Sequence, residues 1–385
     1  MLGAFLYREL VVRSAGLPPD LREGSNDLEI YRRAGEALLR GEIPYRDFFI
    51  EYPPGSLPAF VPPALFSSDK AGYITLFSSE MALVLVLTLV LTALAARRFG
   101  GTWIIPAVTL AAGAILLYPV AVTRYDAILA LSLAAAVLCA SSGRRYLAYA
   151  SLGLGAAAKL VPALATVPLA LSRRGAARGY AIFLGIMALF FLPALLLGGS
   201  GFLESFAYQA DRGLQVESLA ASVLMTLGWV SGVVFEYGAF EVQGRGVELA
   251  GGLSLPVTGG LLLVTSLLMY RAYRGERAGP RAFPRYAAAL ILASMLGSKV
   301  LSPQYVIWLL PLVPLGAGGV SGLLLSAVFL AACYLTTQAF PVHYGDILNL
   351  RSPGPELLLA RNLLLVLLWG LLLFLPGHAP EKRTA

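Results

Sequence analysis

The chain has 385 residues, 58% of them hydrophobic and 13% charged, with a formal charge of +7 and a mean hydropathy of +0.74. Soluble globular proteins carry about 45–50% apolar and about 25% charged residues, so a water-soluble enzyme is excluded. Nor does the positive charge call for nucleic acid, because membrane proteins gather Lys and Arg in cytoplasmic loops; Cys139 and Cys333, both inside apolar runs, make no disulfide framework.

In chain order, the opening run of seventeen residues is broken by Arg8, Glu9 and Arg13 and is followed by no small-residue cleavage site. It reads as the end of a first span rather than a cleavable leader. The stretch 18–70 is next. Ser25 or Asn26 can cap a helix that Gly41 ends, and Leu28, Ile30, Tyr31, Ala34, Ala37 and Leu38 form one stripe, so an amphipathic helix on the membrane surface is expected. Ile43-Pro44-Tyr45 through Pro53-Pro54-Gly55 then gives a rigid loop with aromatic anchors, and a second short helix is expected from Pro58.

A span needs about 20 apolar residues, and candidates follow at 71–96, 103–120, 125–141, 179–198, 252–270, 286–301, 303–318, 321–338 and 357–375. The stretch 146–171 is different. Arg144 and Arg145 before it and Arg173 and Arg174 after it both favour the cytoplasm, so one crossing breaks the positive-inside rule. Two half-helices turning near Lys159 to Pro162 satisfy both ends, with non-helical backbone tolerated where protein or a water-filled cavity covers it. Apolar 219–235 cannot be a full crossing, because 236–250 reads as lying on the same side as 199–218.

Charge sets the orientation. The loops 97–101, 142–145, 172–179 and 271–285 and the tail 376–385 hold 14 of the 29 basic residues, beside only Glu276 and Glu381 of the 22 acids. These are expected in the cytoplasm, which leaves 18–70, the turn near Arg124, 199–250, the turn near Lys299 and 339–356 outside. The expected protein is a single all-α domain over 1–385: a polytopic transmembrane helical bundle in the plasma membrane, with any chemistry on its non-cytoplasmic face.

Several outer residues admit two readings. Asp27 at the start of the surface helix suits the helix dipole, as any acid would there, or serves as a general base near the bilayer surface. Gln209 through Ser218, with Arg212 and Glu217, is a solvated loop with a capping Ser218 or part of a site. Lys299 lies between two apolar runs, in Ser298-Lys299-Val300-Leu301-Ser302-Pro303-Gln304-Tyr305. A lysine at a helix centre costs about 2.5–3.5 kcal/mol on insertion scales, so this one snorkels or faces a polar cavity. Arg124-Tyr125-Asp126 is an interfacial anchor or a charged pair at a span end. No phosphate-cradling glycine loop is present, His343 and His378 are too few for a histidine-rich metal centre, and no internal repeat is visible.

Taken together, these pieces resemble a known family. The Asp27 helix followed by Pro44-Tyr45 and Glu51-Tyr52-Pro53-Pro54 resembles the first outer loop of family 87 of the integral-membrane GT-C glycosyltransferases, which include actinobacterial mannosyltransferases of phosphatidylinositol mannoside synthesis. Lys159-Leu160-Val161-Pro162 resembles their lysine-proline bend, and Asp211 through Ser218 their outer polar loop. Ser298 through Tyr305 with Trp308 is also similar to a segment of the first mannosyltransferase of eukaryotic glycosylphosphatidylinositol assembly. The likeness runs over about residues 20–375.

The resemblance implies a polyprenyl-phosphate sugar donor, inversion at the anomeric carbon, and an Asp base that maps onto Asp27. Many members carry Asp-x-Asp or Glu-x-Asp there. This chain has Asp27-Leu28-Glu29, so a divalent metal is not indicated and stays open, and no soluble cofactor is required. Arg212 and Lys299, with Arg124 and Lys159 beside them, suit a departing lipid phosphate. Tyr45 and Tyr52 suit a sugar at the water–lipid boundary, and Glu29, Glu51, Asp126, Glu217 and Gln304 complete the candidate substrate contacts. The expected activity is transfer of a hexose, mannose foremost, to an outer-face lipid or glycan acceptor, with membrane lipids as the other partner and no nucleic acid. A lipid or solute transporter with Lys159 and Lys299 along its path is the alternative, and a non-catalytic scaffold ranks last. Acids gathered at one face favour the enzyme.

Overall fold

The computed structural model describes residues 27–375, apart from 68, 101, 173, 174, 276 and 277. The expectations for the run 1–17, the Ser25 or Asn26 cap, Arg173, Arg174, Glu276, Arg277, and the tail with His378, Glu381, Lys382 and Arg383 lie outside the described residues.

The chain begins with α1 (Asp27–Leu39), a 3-10 segment (Pro54–Phe60) and α2 (Val61–Phe66). There follow α3 (Lys70–Arg98), α4 (Ile104–Leu116), α5 (Tyr118–Ala121), α6 (Asp126–Ser141), α7 (Arg145–Ala158), α8 (Thr166–Ser172), α9 (Ala176–Gly198), α10 (Ser200–Asp211) and α11 (Leu219–Thr226). A hairpin of β1 (Val230–Glu236) and β2 (Ala239–Gly244) precedes α12 (Val247–Arg274), α13 (Ala282–Gly297), α14 (Gly319–Thr337), α15 (Tyr344–Leu348) and α16 (Gly354–Phe374).

Among the described residues, five helices are long and apolar enough to cross a membrane: α3, α9, α12, α14 with its continuation to Val342, and α16. The 29 residues of α3 extend about 43 Å at about 1.5 Å per residue, more than the roughly 30 Å hydrocarbon core. Leucines such as Leu189, Leu196 and Leu255 stand exposed along α9 and α12, a surface that only lipid satisfies. The shorter α13 is instead buried along nearly its whole length at the centre of the bundle. This is a polytopic helical membrane protein.

The bend expected near Lys159 is present. Helix α7 stops at Lys159, which is extended (φ −165, ψ 130). A 3-10 segment at Val161–Ala165 leads into α8. The two flanks then meet again, since a Cβ on Gly175 would lie 2.7 Å from Arg145 Nη2. Gly41 ends α1 with φ +81, as expected.

Three expectations change. The apolar stripe of α1 meets protein rather than lipid: Tyr31 stacks on Phe60 at 4.4 Å and lies edge-on to Tyr125. The short helix expected at Pro58 is reached through a 3-10 turn that already begins at Pro54. The run 303–318 forms two 3-10 segments, Pro303–Leu309 and Val313–Leu315, rather than a helical span; Pro303, Pro311 and Pro314 each remove a backbone donor that an α-helix needs. As expected, 219–235 makes no full crossing; it divides into α11 and β1. Tyr237 and Gly238 (φ 47 and 70) make the hairpin turn, the left-handed pair that a two-residue hairpin loop favours.

The bundle has two distinct ends. Arg97, Arg98, Arg281 and Arg285 gather at one: Arg281 donates to Gly100 O at 3.1 Å and sits 5.3 Å over the Phe99 ring. The other end, where Lys70 begins α3 and contacts Glu29 at 3.7 Å, carries the candidate site.

Candidate active site

Three acid–base pairs from distant parts of the chain meet around an aromatic hub at this end. The first joins the N-terminus of α1 to the α5–α6 turn: Arg124 Nε is 2.6 Å from Asp27 Oδ2. The Nε–H is not aligned for a hydrogen bond and is left without an acceptor. The second joins the first outer loop to the end of α10: Arg212 Nη2 donates to Glu51 Oε2 at 2.6 Å, and Gln209 Nε2 adds a contact at 3.1 Å. In the third, the buried Asp126 accepts from Lys159 Nζ at 2.9 Å and from Trp308 Nε1 at 2.7 Å. The Lys159 ammonium lies over Tyr125, Tyr305 and Trp308 at 5.4, 4.8 and 5.1 Å.

Local sequence explains these positions. The break after α7 presents Lys159 at a helix end, where its ammonium can reach Asp126 on the first turn of α6. Gly55 lets the outer loop lie on that end, because a Cβ there would collide with the Ala157 backbone. Tyr52 bridges the pairs, its ring centroid 5.4 Å from both Tyr31 and Tyr125.

The pairs also share an electrostatic field. Burial pushes the Glu51 carboxyl above the ordinary glutamate range; Arg212 and Lys159 oppose the shift and Asp27 adds to it. Burial disfavours the charge on Arg212, but Glu51, Tyr305 and Tyr208 outweigh it and hold the guanidinium above its usual value. Largely buried cations gathered in this way are suited to hold an anion.

Other candidates stand elsewhere. Glu29 turns to Arg32 and Arg33 on its own helix and to Lys70, at 2.7, 2.9 and 3.7 Å. Arg32, with burial opposing, lowers its pKa to about 2. Tyr45, at φ 68, is buried; it donates its hydroxyl to Tyr52 O at 2.7 Å and sets its ring edge-on to Phe202, which shapes the loop. Lys299 is not a free cation: Nζ donates to Ala210 O at 2.7 Å and to Arg212 O. Gln304, half-buried, is the second residue of the 3-10 segment Pro303–Leu309.

Glu217 joins a buried polar cluster that sequence reasoning missed. Tyr344 donates to its Oε1 at 3.0 Å and Arg361 Nη2 to its backbone O at 2.9 Å. Burial pushes its carboxyl up to about 7, against the pull of Tyr344 and Arg361. The missed signal was Arg361 itself, a charge inside the apolar run of α16, which in a span is expected to be functional or paired. Tyr125, Tyr305 and Gln209 were also passed over as contacts. Among the described residues, no group of three His, Cys, Asp or Glu side chains is placed to hold a metal ion.

With this geometry established, comparison with known proteins assigns the family. The sequence matches the glycosyltransferase family 87 profile over residues 49–303. The chain belongs to glycosyltransferase family 87. The matched stretch carries Glu51, Tyr52, Arg124, Asp126, Lys159, Arg212, Glu217 and Lys299, whereas Asp27 precedes it. No curated relative matches the sequence. Among solved structures, it is similar to that of ArnT from Cupriavidus metallidurans bound to undecaprenyl phosphate, with 16% identity, a TM-score of 0.48, and 96% of this chain and 76% of that chain covered. The apo state of the same protein gives 14% identity and a TM-score of 0.47 over the same shares. Family membership favours the transferase over the transporter considered from sequence.

Proposed function

We propose that this family 87 member is an inverting, polyprenyl-phosphate-dependent hexosyltransferase, with mannose the first sugar to test and an outer-face lipid or glycan as acceptor. Asp27 is the general base. Its carboxylate takes the proton of the acceptor hydroxyl as that oxygen bonds to the anomeric carbon. The bond from that carbon to the donor phosphate breaks, and its electron pair leaves with the polyprenyl phosphate. Such base assistance contributes about 10²–10⁴-fold. The transition state is oxocarbenium-like, so nearby carboxylates stabilise the sugar. The phosphate gathers charge as it departs, and Arg212, Arg124 and Lys159 are the cations close enough to the same hub to hold it.

One observation carries this reading: Asp27 sits against Arg124 (2.6 Å), beside the Tyr31–Tyr52–Tyr125 hub on which the Glu51–Arg212 and Asp126–Lys159 pairs also converge. A carboxylate serving only the α1 dipole would need no such neighbours. The candidate site lies at the end opposite the clustered arginines, which under the positive-inside rule supports the non-cytoplasmic side.

The test uses purified protein in lipid with a labelled polyprenyl-phosphate hexose and candidate acceptors. Free polyprenyl phosphate is expected to appear in step with glycosylated acceptor of inverted anomeric configuration. Movement of intact donor across the bilayer without its consumption would overturn the reading in favour of a transporter.

A further inference from the structure

The polar segment after α10 is held by residues that lie outside the ion-pair hub. Arg212 follows the last residue of α10 with extended backbone (φ −51, ψ 139). Its peptide bond to Gly213 is bound at both poles. The Arg212 carbonyl accepts from Lys299 Nζ, and the Gly213 N–H donates to Glu241 Oε1 at 2.7 Å. A cation therefore faces the oxygen of one peptide unit and an anion faces its hydrogen. Lys299 also takes Ala210 O at 2.7 Å, which satisfies carbonyls that the end of α10 would otherwise leave free, at the negative pole of the helix.

The surroundings fix both charged groups. Glu241 is 6% exposed on β2, and the chain after Gly213 pairs with that strand: Val216 N donates to Phe240 O at 2.9 Å and Val242 N to Leu214 O at 3.0 Å. On the other side, Gln215 N donates to Lys299 O at 2.9 Å, and the Gln215 side chain accepts from Leu301 N at 2.9 Å. Gly213 has no room for a side chain, because a Cβ would strike the Glu241 carboxylate. The hairpin turn completes the enclosure. A Cβ on Gly238 would come within 3.9 Å of both Arg212 Nη2 and Glu51 Oε1.

We propose that Lys299 and Glu241 are positioning residues that clamp the Arg212–Gly213 peptide and so aim the Arg212 side chain at the departing phosphate. The use made of Arg212 rests on the function proposed above; the clamp itself does not. An arginine side chain has many rotamers, and a displacement of about 1 Å at a catalytic group can lower rate by about 10²-fold. Fixing the backbone at its root removes much of that freedom.

The full-length protein in nanodiscs tests this in two ways. In amide hydrogen exchange, Lys299→Met and Glu241→Leu are expected to lower protection of the Gly213 amide at least tenfold. Glu241→Gln, whose amide oxygen still accepts, and Lys299→Arg, which keeps the cation, are expected to retain it. In transfer assays, Lys299→Met is expected to reduce kcat/KM about tenfold in the wild-type background and by less than twofold when Arg212 is already alanine. Unchanged exchange at Gly213 in Glu241→Leu, or equal losses in both Arg212 backgrounds, would overturn the clamp. Where Lys299→Met fails to fold, Glu241→Leu carries both arms. If wild-type protein transfers no sugar, the proposed function fails, and the exchange experiment still decides the clamp.

Discussion

At the arginine-rich end of the bundle, cations bind carbonyls and ring faces: Arg281 reaches Gly100 O and Leu315 O, Arg285 reaches Leu372 O, and Arg97 lies 4.8 Å over Trp103. Among the described residues, no carboxylate pairs with them. At the opposite end Lys299 also binds carbonyls, but each of the three hub cations has an acid: Arg124 with Asp27, Arg212 with Glu51 and Lys159 with Asp126. The first pattern anchors and orients a membrane protein. The second removes ions of both signs from water, which hydrophobic replacements of similar volume would do at less cost. An arrangement that costs stability in this way is a reason to place function at the paired end.

Mutations at the paired end can break or sharpen this contrast. The largest stability effect is expected at Asp126, 1% exposed with Lys159 and Trp308 both bound to it. Asp126→Ala leaves the half-buried Lys159 ammonium and the buried Trp308 N–H without their acceptor, and removing one partner of a buried pair costs up to about 3–5 kcal/mol; thermal melting in detergent should show the loss. Next comes Arg212→Ala. Hydrogen bonds to charged groups contribute about 1.5–3 kcal/mol, so kcat/KM for the donor is expected to fall roughly ten- to a hundredfold, and an unchanged value would separate Arg212 from the phosphate.

A pH profile reads stability rather than turnover. The carboxyl of Glu217 is raised from the ordinary 4.5 to about 7, so between those values the folded protein binds a proton that the unfolded chain has lost. Stability is therefore expected to fall as pH rises from about 4.5 through about 7, then level off, and Glu217→Gln should flatten that slope in melts across the range. The smallest effect is expected at Glu29. It pairs with Arg32, Arg33 and Lys70 rather than the hub, and partly exposed pairs contribute about 0.2–1 kcal/mol each. Glu29→Gln should leave transfer within about twofold of wild type.

Much of the framework was legible because it follows from local rules. The break at Lys159 was forced by basic flanks on both sides and a proline, and the polarity of the bundle by arginine clustering. The hairpin was hidden because α11 and β1 read as one apolar run, and its turn, Tyr237-Gly238, is a weak signal beside Asn-Gly or Asp-Gly. The candidate residues could be named from sequence, but not their partners. Nothing in the sequence joins Asp27 to Arg124 or Glu51 to Arg212, because those contacts depend on helix packing between remote segments. Lys299 shows the same limit. The cost of burying it marked the residue, but its use, on two carbonyls at the end of α10, appears only in three dimensions.

The contrast between the ends is tested most directly by comparing transfer by Asp27→Asn with that by Arg145→Gln, a control from the opposite end, under one donor and one acceptor. The account predicts that Asp27→Asn keeps its fold and loses at least about 100-fold in kcat, the lower bound for a general base, while Arg145→Gln turns over near the wild-type rate. Wild-type turnover by folded Asp27→Asn would contradict it.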